Sequence, residues 1–189
     1  MSAEVERARR LFTRKEYHCM GEAGILKPTE RVELIRGEII EMSPISPRHV
    51  AFVNNLNQLL VLRLGGRAIV SVHNPVALDD DTEPEPDITI LRRRGAVPYK
   101  ESEPATEDVL LLIEVGDTSL AYDRGTKLRL YAESGIPEYW VVDASAEVVE
   151  IHRGPAPGGY GEMRRLTAGA TVSPQAFPDM TLPLTEIFA

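Results

Sequence analysis

The sequence predicts an α/β fold in which helices flank a central sheet, and three features predict it. The run VLLLIEV at 109–115 has six aliphatic residues in seven, the pattern of a strand buried on both faces. EYWVVD at 138–143 is a second compact apolar strand, and the stretch between the two reads as an amphipathic helix. Upstream, HVAFVNNLNQLLVLRLGG carries Val50, Val53, Leu56, Leu59, Leu60 and Leu64 at helical spacing before a Gly65-Gly66 stop, which gives a second helix with a core face. A length of 189 residues suits one domain, residues 1–189, with a core of its own.

From the N-terminus, residues 13 to 23 read as a short helix that stops near Gly24. In RVELIRGEIIEMSP, apolar residues interleave with charge around Arg36-Gly37, a two-residue turn whose glycine can take positive φ. This is an N-terminal antiparallel hairpin with one wet face. Ser46-Pro47 then opens the core helix. AIVSVHNPVAL is rich in β formers but broken by Pro75, which predicts a bent strand or two short ones. The acidic, proline-punctuated DDDTEPEPD reaches Asp87 as Ile88, Ile90 and Leu91 begin a strand, and residues 92 to 106 follow as a loop. The helix after VLLLIEV is expected to begin near Asp123 and to end at Gly135 and Pro137. EVVEIHR and GYGEMRRL form a hairpin across GPAPGG, and the proline-rich C-terminal stretch is expected to lie along a sheet edge as an antiparallel extension.

Composition bounds the partners. Against 29 acidic residues there are 21 Lys and Arg, a formal charge of -8, the wrong sign for coating nucleic acid by bulk attraction. A nuclease needs only a local basic groove and divalent cations, so this does not remove that class. The single Cys19 closes no internal disulfide, and the charged N-terminal stretch has no apolar core of a signal peptide; a cytoplasmic location is expected. No window approaches the roughly 20 apolar residues that cross a bilayer, so no membrane partner is expected. Phosphate-cradling glycine loop, nucleophile elbow and zinc-spaced Cys and His are all missing.

The chemistry concentrates at Glu114. A buried strand excludes an isolated carboxylate unless it is paired, hydrogen-bonded or bound to a cation. Glu114 stands near the C-terminal end of its strand, where open α/β sheets bind ligands. If Asp87 occupies the neighbouring strand, the two carboxylates converge, and with a backbone carbonyl (Val115) and water they suit Mg2+ or Mn2+. Lys127, one loop and a helical turn later, can bring its ammonium over the same strand end to steady charge on a phosphate.

The order ELIRGEIIEMSP, SPRHVAFVNNL, EPDITI and LLIEVGDTSLAYDRGTKLRLYAESGIPEYWVVD resembles the Uma-type family of putative restriction endonucleases, a branch of the PD-(D/E)XK nuclease superfamily. The resemblance runs from about Tyr17 to the C-terminus and is most specific between Glu114 and Asp143. It implies a restriction-endonuclease-like mixed sheet, with Asp87 as the acid of the PD element and Glu114 as the acid of the following strand, both on the metal. The superfamily's lysine stands two residues after that acid, where this chain has Gly116, so Lys127 becomes the matching position. His49, which opens a helix, matches an extra metal ligand that some of these nucleases use.

The implied activity is metal-dependent hydrolysis of DNA phosphodiester bonds, with a homodimer where two strands are cut by paired subunits. The alternatives are a nuclease-fold binding module with weak or no cleavage, and an enzyme acting on small phosphate esters. Plainer roles stand beside each residue. Asp87 could cap a turn, Lys127 could be a solvated partner of Asp123, and His49 could be an ordinary helix-terminal histidine. Glu33 and Glu38 read as cross-strand surface charges, Tyr131, Tyr139 and Trp140 as packing residues, and Arg92 to Arg94 as a solvated run.

Overall fold

The structure, a computed structural model, describes residues 9–94 and 99–189. The charged N-terminal stretch up to residue 8, and residues 95–98 of the expected 92–106 loop, lie outside the described residues. Thr13 caps helix α1 (Arg14–Glu22) by accepting from the Glu16 N–H, while Glu16 reaches back to the Thr13 N–H. Arg14 and His18 then tie α1 to buried Glu83 at 2.6 and 2.8 Å.

Strands β1 (Val32–Ile35) and β2 (Glu38–Glu41) pair antiparallel across Arg36 and Gly37, both at positive φ (51° and 77°), as a two-residue turn matched to strand twist requires. The expected wet face is not there on β1. Glu33, Leu34 and Ile35 are all buried, because Leu34 bridges Glu83 and lays the hairpin against the chain ahead of Asp87. Ser46 caps helix α2 (Pro47–Leu64) by accepting from the His49 N–H, and Gly65 ends it in the left-handed conformation. Val53, Leu56, Leu60 and Leu64 face the core, whereas Val50, expected beside them, is exposed.

The sheet has six strands in sequence order: β3 (Ala68–Val72), β4 (Ile88–Arg92), β5 (Val109–Gly116), β6 (Glu138–Asp143), β7 (Val148–Ala156) and β8 (Gly159–Leu166). β5 and β6 are parallel and the other neighbours antiparallel, so the sheet is mixed. β5 lies between β4 and β6 with a layer on each face, which is why its sequence is a continuous aliphatic run. Side-chain alternation sorts the two layers. Leu111, Ile113 and Val115 join Ile88, Ile90 and the apolar stripe of α2. Leu112 joins Tyr139, Val141, Leu130 and Tyr131 on the other side.

The β5–β6 crossover starts earlier than the sequence suggests, at α3 (Leu120–Tyr122), passes through a π turn (Asp123–Lys127) and ends in α4 (Leu128–Glu133). The C-terminal segment forms β9 (Thr171–Val172), β10 (Leu182–Pro183) and α5 (Leu184–Ile187). β9 and β10 pair antiparallel, but the segment does not simply line an edge. Val172, Met180, Leu182, Leu184 and Ile187 enter the same core as α2, and Asn55 of α2 donates to the Glu186 and Ile187 carbonyls at 2.6 and 2.8 Å. The prolines keep its strands short, while its apolar residues draw it onto the core.

Candidate active site

β4 and β5 are antiparallel neighbours with Ile88 opposite Ile113, so one further step along the register sets Asp87 against Glu114. Their contacts agree with that register. The Asp87 N–H points at Glu114 Oε2 at 3.4 Å, and Asp87 Oδ2 accepts from the Val115 N–H at 2.7 Å. Glu114 Oε1 in turn accepts from Lys127 Nζ at 2.9 Å and from the Tyr131 hydroxyl at 2.8 Å. Lys127 has a second carboxylate, Glu33, at 3.2 Å, and the ammonium is almost wholly buried.

Leu120 packs over Gly116: a Cβ there would lie 2.5 Å from Leu120 Cδ2 and 3.0 Å from Asp123 Oδ2, so a side chain two residues after Glu114 would have to displace Leu120, and the lysine on Glu114 comes instead from the crossover. The π turn accommodates both demands. Leu128 N–H bonds to the Asp123 carbonyl five residues back, and the extra residue in that turn lies between Leu120, packed over Gly116, and the two residues that reach Glu114, Lys127 and Tyr131.

Two histidines complete the cluster. His49 Nδ1 donates to the Val115 carbonyl at 2.8 Å, which fixes the ring and turns Nε2 toward Asp87. Nε2 lies 3.0 Å from Asp87 Oδ1, yet off the hydrogen-bonding line, so this buried nitrogen has no hydrogen-bond partner. His73, at φ 49°, bonds the Asp87 carbonyl through its N–H at 3.1 Å and approaches Asp87 Oδ1 with Nε2 at 3.2 Å. The two imidazoles stack at 6.0 Å and 12°. His49, His73 and Asp87 each present a ligand atom within 4.8 Å of the other two; Glu114 is outside that group. Glu33, His49, Asp87, Glu114 and Lys127 line one cleft of about 370 Å3 together with Met42, Pro44 and Ile45.

Charge in the cleft is unbalanced. Burial alone would push the Asp87 carboxyl up, but His49 and His73 outweigh it and hold the group well below the usual carboxylate range. Burial pushes Glu114 up to about 8 despite Lys127, and Asp123 up to about 6 despite the Ser119 hydroxyl. Burial pulls Lys127 down, yet Glu114 and Glu33 more than compensate and keep it protonated. The upward shifts of Glu114 and Lys127 pull against each other, because a protonated Glu114 gives the ammonium less to hold. The ammonium is the firmer charge, since two carboxylates touch it, whereas Glu114 faces Asp87 and Asp123 as well as one cation. Even with Arg31, which also lines the cleft, Lys127 leaves Glu33, Asp87, Glu114 and Asp123 short of positive charge. The oxygen and imidazole donors, the anionic Asp87 and a His49 Nε2 that faces Asp87 Oδ1 at 3.0 Å without an aligned hydrogen bond therefore fit a divalent cation.

The structure brings Asp87, Glu114, Lys127 and His49 to one place. The Val115 carbonyl, expected to face an ion, is engaged by His49. Lys127 is not the solvated partner of Asp123 but a buried link between strands. Glu33 is not a surface charge; it belongs to the cluster, and the sequence hides this because hairpin alternation cannot say what covers β1. Glu38 stays peripheral, paired with Arg9 at 2.6 Å. His73 was not singled out, although its place between β3 and Pro75 was a signal. Tyr131 packs in the core and also bonds Glu114. Tyr139 and Trp140 are buried packing residues. Arg92, Arg93 and Arg94 are tied to the Glu107 carbonyl, the Gly66 carbonyl and Asp108, and none lines the cleft.

A putative nuclease of the DUF820 group from Anabaena variabilis ATCC 29413 is similar in structure, with a TM-score of 0.73 at 17% identity over 94% of this chain and 97% of that one. At that identity the likeness concerns the fold, which is restriction-endonuclease-like. No curated protein matches the sequence. Among the described residues no helix is long and apolar enough to cross a membrane. The family model described as Uma2, putative restriction endonuclease, matches residues 14–185, nearly the whole chain, and the protein thus belongs to the Uma2 family of putative restriction endonucleases.

Proposed function

We propose that the protein is a divalent-metal-dependent endonuclease hydrolysing phosphodiester bonds in DNA, with Asp87, Glu114 and His49 holding Mg2+ or Mn2+ and Lys127 serving the phosphate. The observation that carries this reading is the meeting of Asp87 and Glu114 at adjoining strand ends, with Lys127 fixed on Glu114 at 2.9 Å. When bound, the ion would supply Lewis acidity and neutralise charge on a phosphate.

The residues divide the remaining work. Asp87, kept ionised by its two imidazoles, is an anionic donor at neutral pH. Val115 acts in this reading through its carbonyl, which orients His49. Glu114 holds Lys127 in place, and the Tyr131 hydroxyl holds Glu114, so the ammonium is pre-positioned as a fixed cation for the transition state. Cleavage of both strands by paired subunits would make a homodimer the working assembly.

The test is incubation of the purified protein with plasmid and oligonucleotide substrates across divalent metals, beside Glu114→Ala. We expect metal-dependent cleavage that falls by at least about 100-fold in the variant, the scale of losing a preorganised electrostatic group. Cleavage unchanged by the substitution removes the assignment. A second reading, a binding module with little cleavage, is favoured by the net charge of -8 and by the two carboxylates that clamp Lys127. Metal binding that depends on Asp87 without cleavage of any substrate would select it.

A further inference from the structure

The donors around Asp87 are not those of an ordinary Mg2+ site. Mg2+ keeps oxygen ligands and several waters, whereas imidazole suits Fe2+, Ni2+, Cu2+ and Zn2+, and Mn2+, the weakest binder of that row, is the most stringent probe of the preference. Here Asp87 Oδ1 has one imidazole nitrogen at 3.0 Å and another at 3.2 Å, and the three ligand atoms lie within 4.8 Å of one another, close enough to surround a single ion. Both rings are held for that arrangement. His49 donates its other ring nitrogen to a backbone carbonyl at 2.8 Å, the usual support of a metal-bound histidine. His73 occupies the left-handed backbone region at φ 49°, sparsely populated by side-chain-bearing residues, and its N–H bonds the Asp87 carbonyl at 3.1 Å.

We infer that His73 is a metal ligand and that His49, His73 and Asp87 together bind a first-row transition ion, Mn2+ being the probe, in preference to Mg2+. The inference rests on reading the cleft as a metal site and adds a ligand and an ion class to it. Glu114, outside the group of three, would add an oxygen donor while holding Lys127, and the selectivity would reside in the imidazoles.

The test is calorimetry of the metal-free full chain with Mn2+ and with Mg2+, repeated on His73→Asn and Asp87→Asn, with the electron paramagnetic resonance spectrum of bound Mn2+ as a second readout. Asn tolerates the left-handed backbone and lacks the imidazole, and matched melting curves of the metal-free proteins establish that it folds. The expected result is Mn2+ bound at least about tenfold more tightly than Mg2+, a preference that His73→Asn reduces by at least about tenfold while leaving Mg2+ binding nearly unchanged. Equal affinity for the two ions, or Mn2+ binding and spectrum untouched in His73→Asn, overturns the inference, and if that binding still needs Asp87 the functional reading stands. Absence of binding by either ion overturns both.

Discussion

Asp123 is 2% exposed at the start of the π turn, where its Oδ2 accepts a hydrogen bond from the Ser119 hydroxyl at 2.6 Å. Burial nevertheless raises its carboxyl from 3.8 to about 6, outweighing both that hydrogen bond and the attraction of Lys127. Between those values the folded protein holds a proton that the unfolded chain has released, so stability is lost as pH rises from about 4 to about 6. Asp123→Asn therefore stabilises the metal-free protein above pH 6 by about 2–3 kcal/mol, the free-energy equivalent of that shift, and has little effect near pH 4. Urea denaturation at the two pH values checks this, and equal effects at both would show that the carboxylate is not strained by burial. Burial, with repulsion from Asp87 and Asp123, gives Glu114 its raised value, so its substitution combines a change in charge with loss of the contacts to Lys127 and Tyr131.

Among the elements, the π turn decides where the lysine goes. Gly125 lies within it, and a Cβ there would meet nothing within 4 Å. Gly125→Ala keeps the residue count and is expected to raise stability by about 0.5–1 kcal/mol, the helix-propensity difference, with metal-dependent cleavage intact. Deleting Gly125 removes the extra residue, so Leu120 over Gly116 and Lys127 on Glu114 cannot both be satisfied. We expect that deletion to lower the melting temperature and to reduce cleavage at least about tenfold, a loss typical of slight misplacement. Melting curves and cleavage rates of the two variants, compared side by side, decide it; a fully active deletion would show that the turn is incidental.

At the scale of the whole molecule, the net charge and the cleft give nucleic acid little to hold without metal. The net charge is -8, and of the cleft's two cations Arg31 donates to the Ser43 carbonyl while Lys127 is clamped by carboxylates. Fluorescence anisotropy at about 0.15 M salt should find metal-free DNA binding no tighter than about 100 µM, the weak end of nonspecific affinity, and tightening on addition of Mn2+. Tight binding in chelator would point to a basic surface elsewhere. By itself the sequence determined the strands, the core helix and the hairpin turn, because aliphatic runs, caps and Arg36-Gly37 are local signals. It also marked Glu114, since a carboxylate among aliphatic neighbours is a local contradiction, and the resemblance to the Uma-type family marked Asp87 beside it. Only the tertiary structure decided that Glu33 is buried, that His73 turns back onto Asp87, that the C-terminal segment enters the core of α2, and that Leu120 covers Gly116. Those outcomes depend on which surface covers which, and coverage is set by contacts between residues far apart in the chain, such as Leu34 with Glu83 and Leu120 with Gly116.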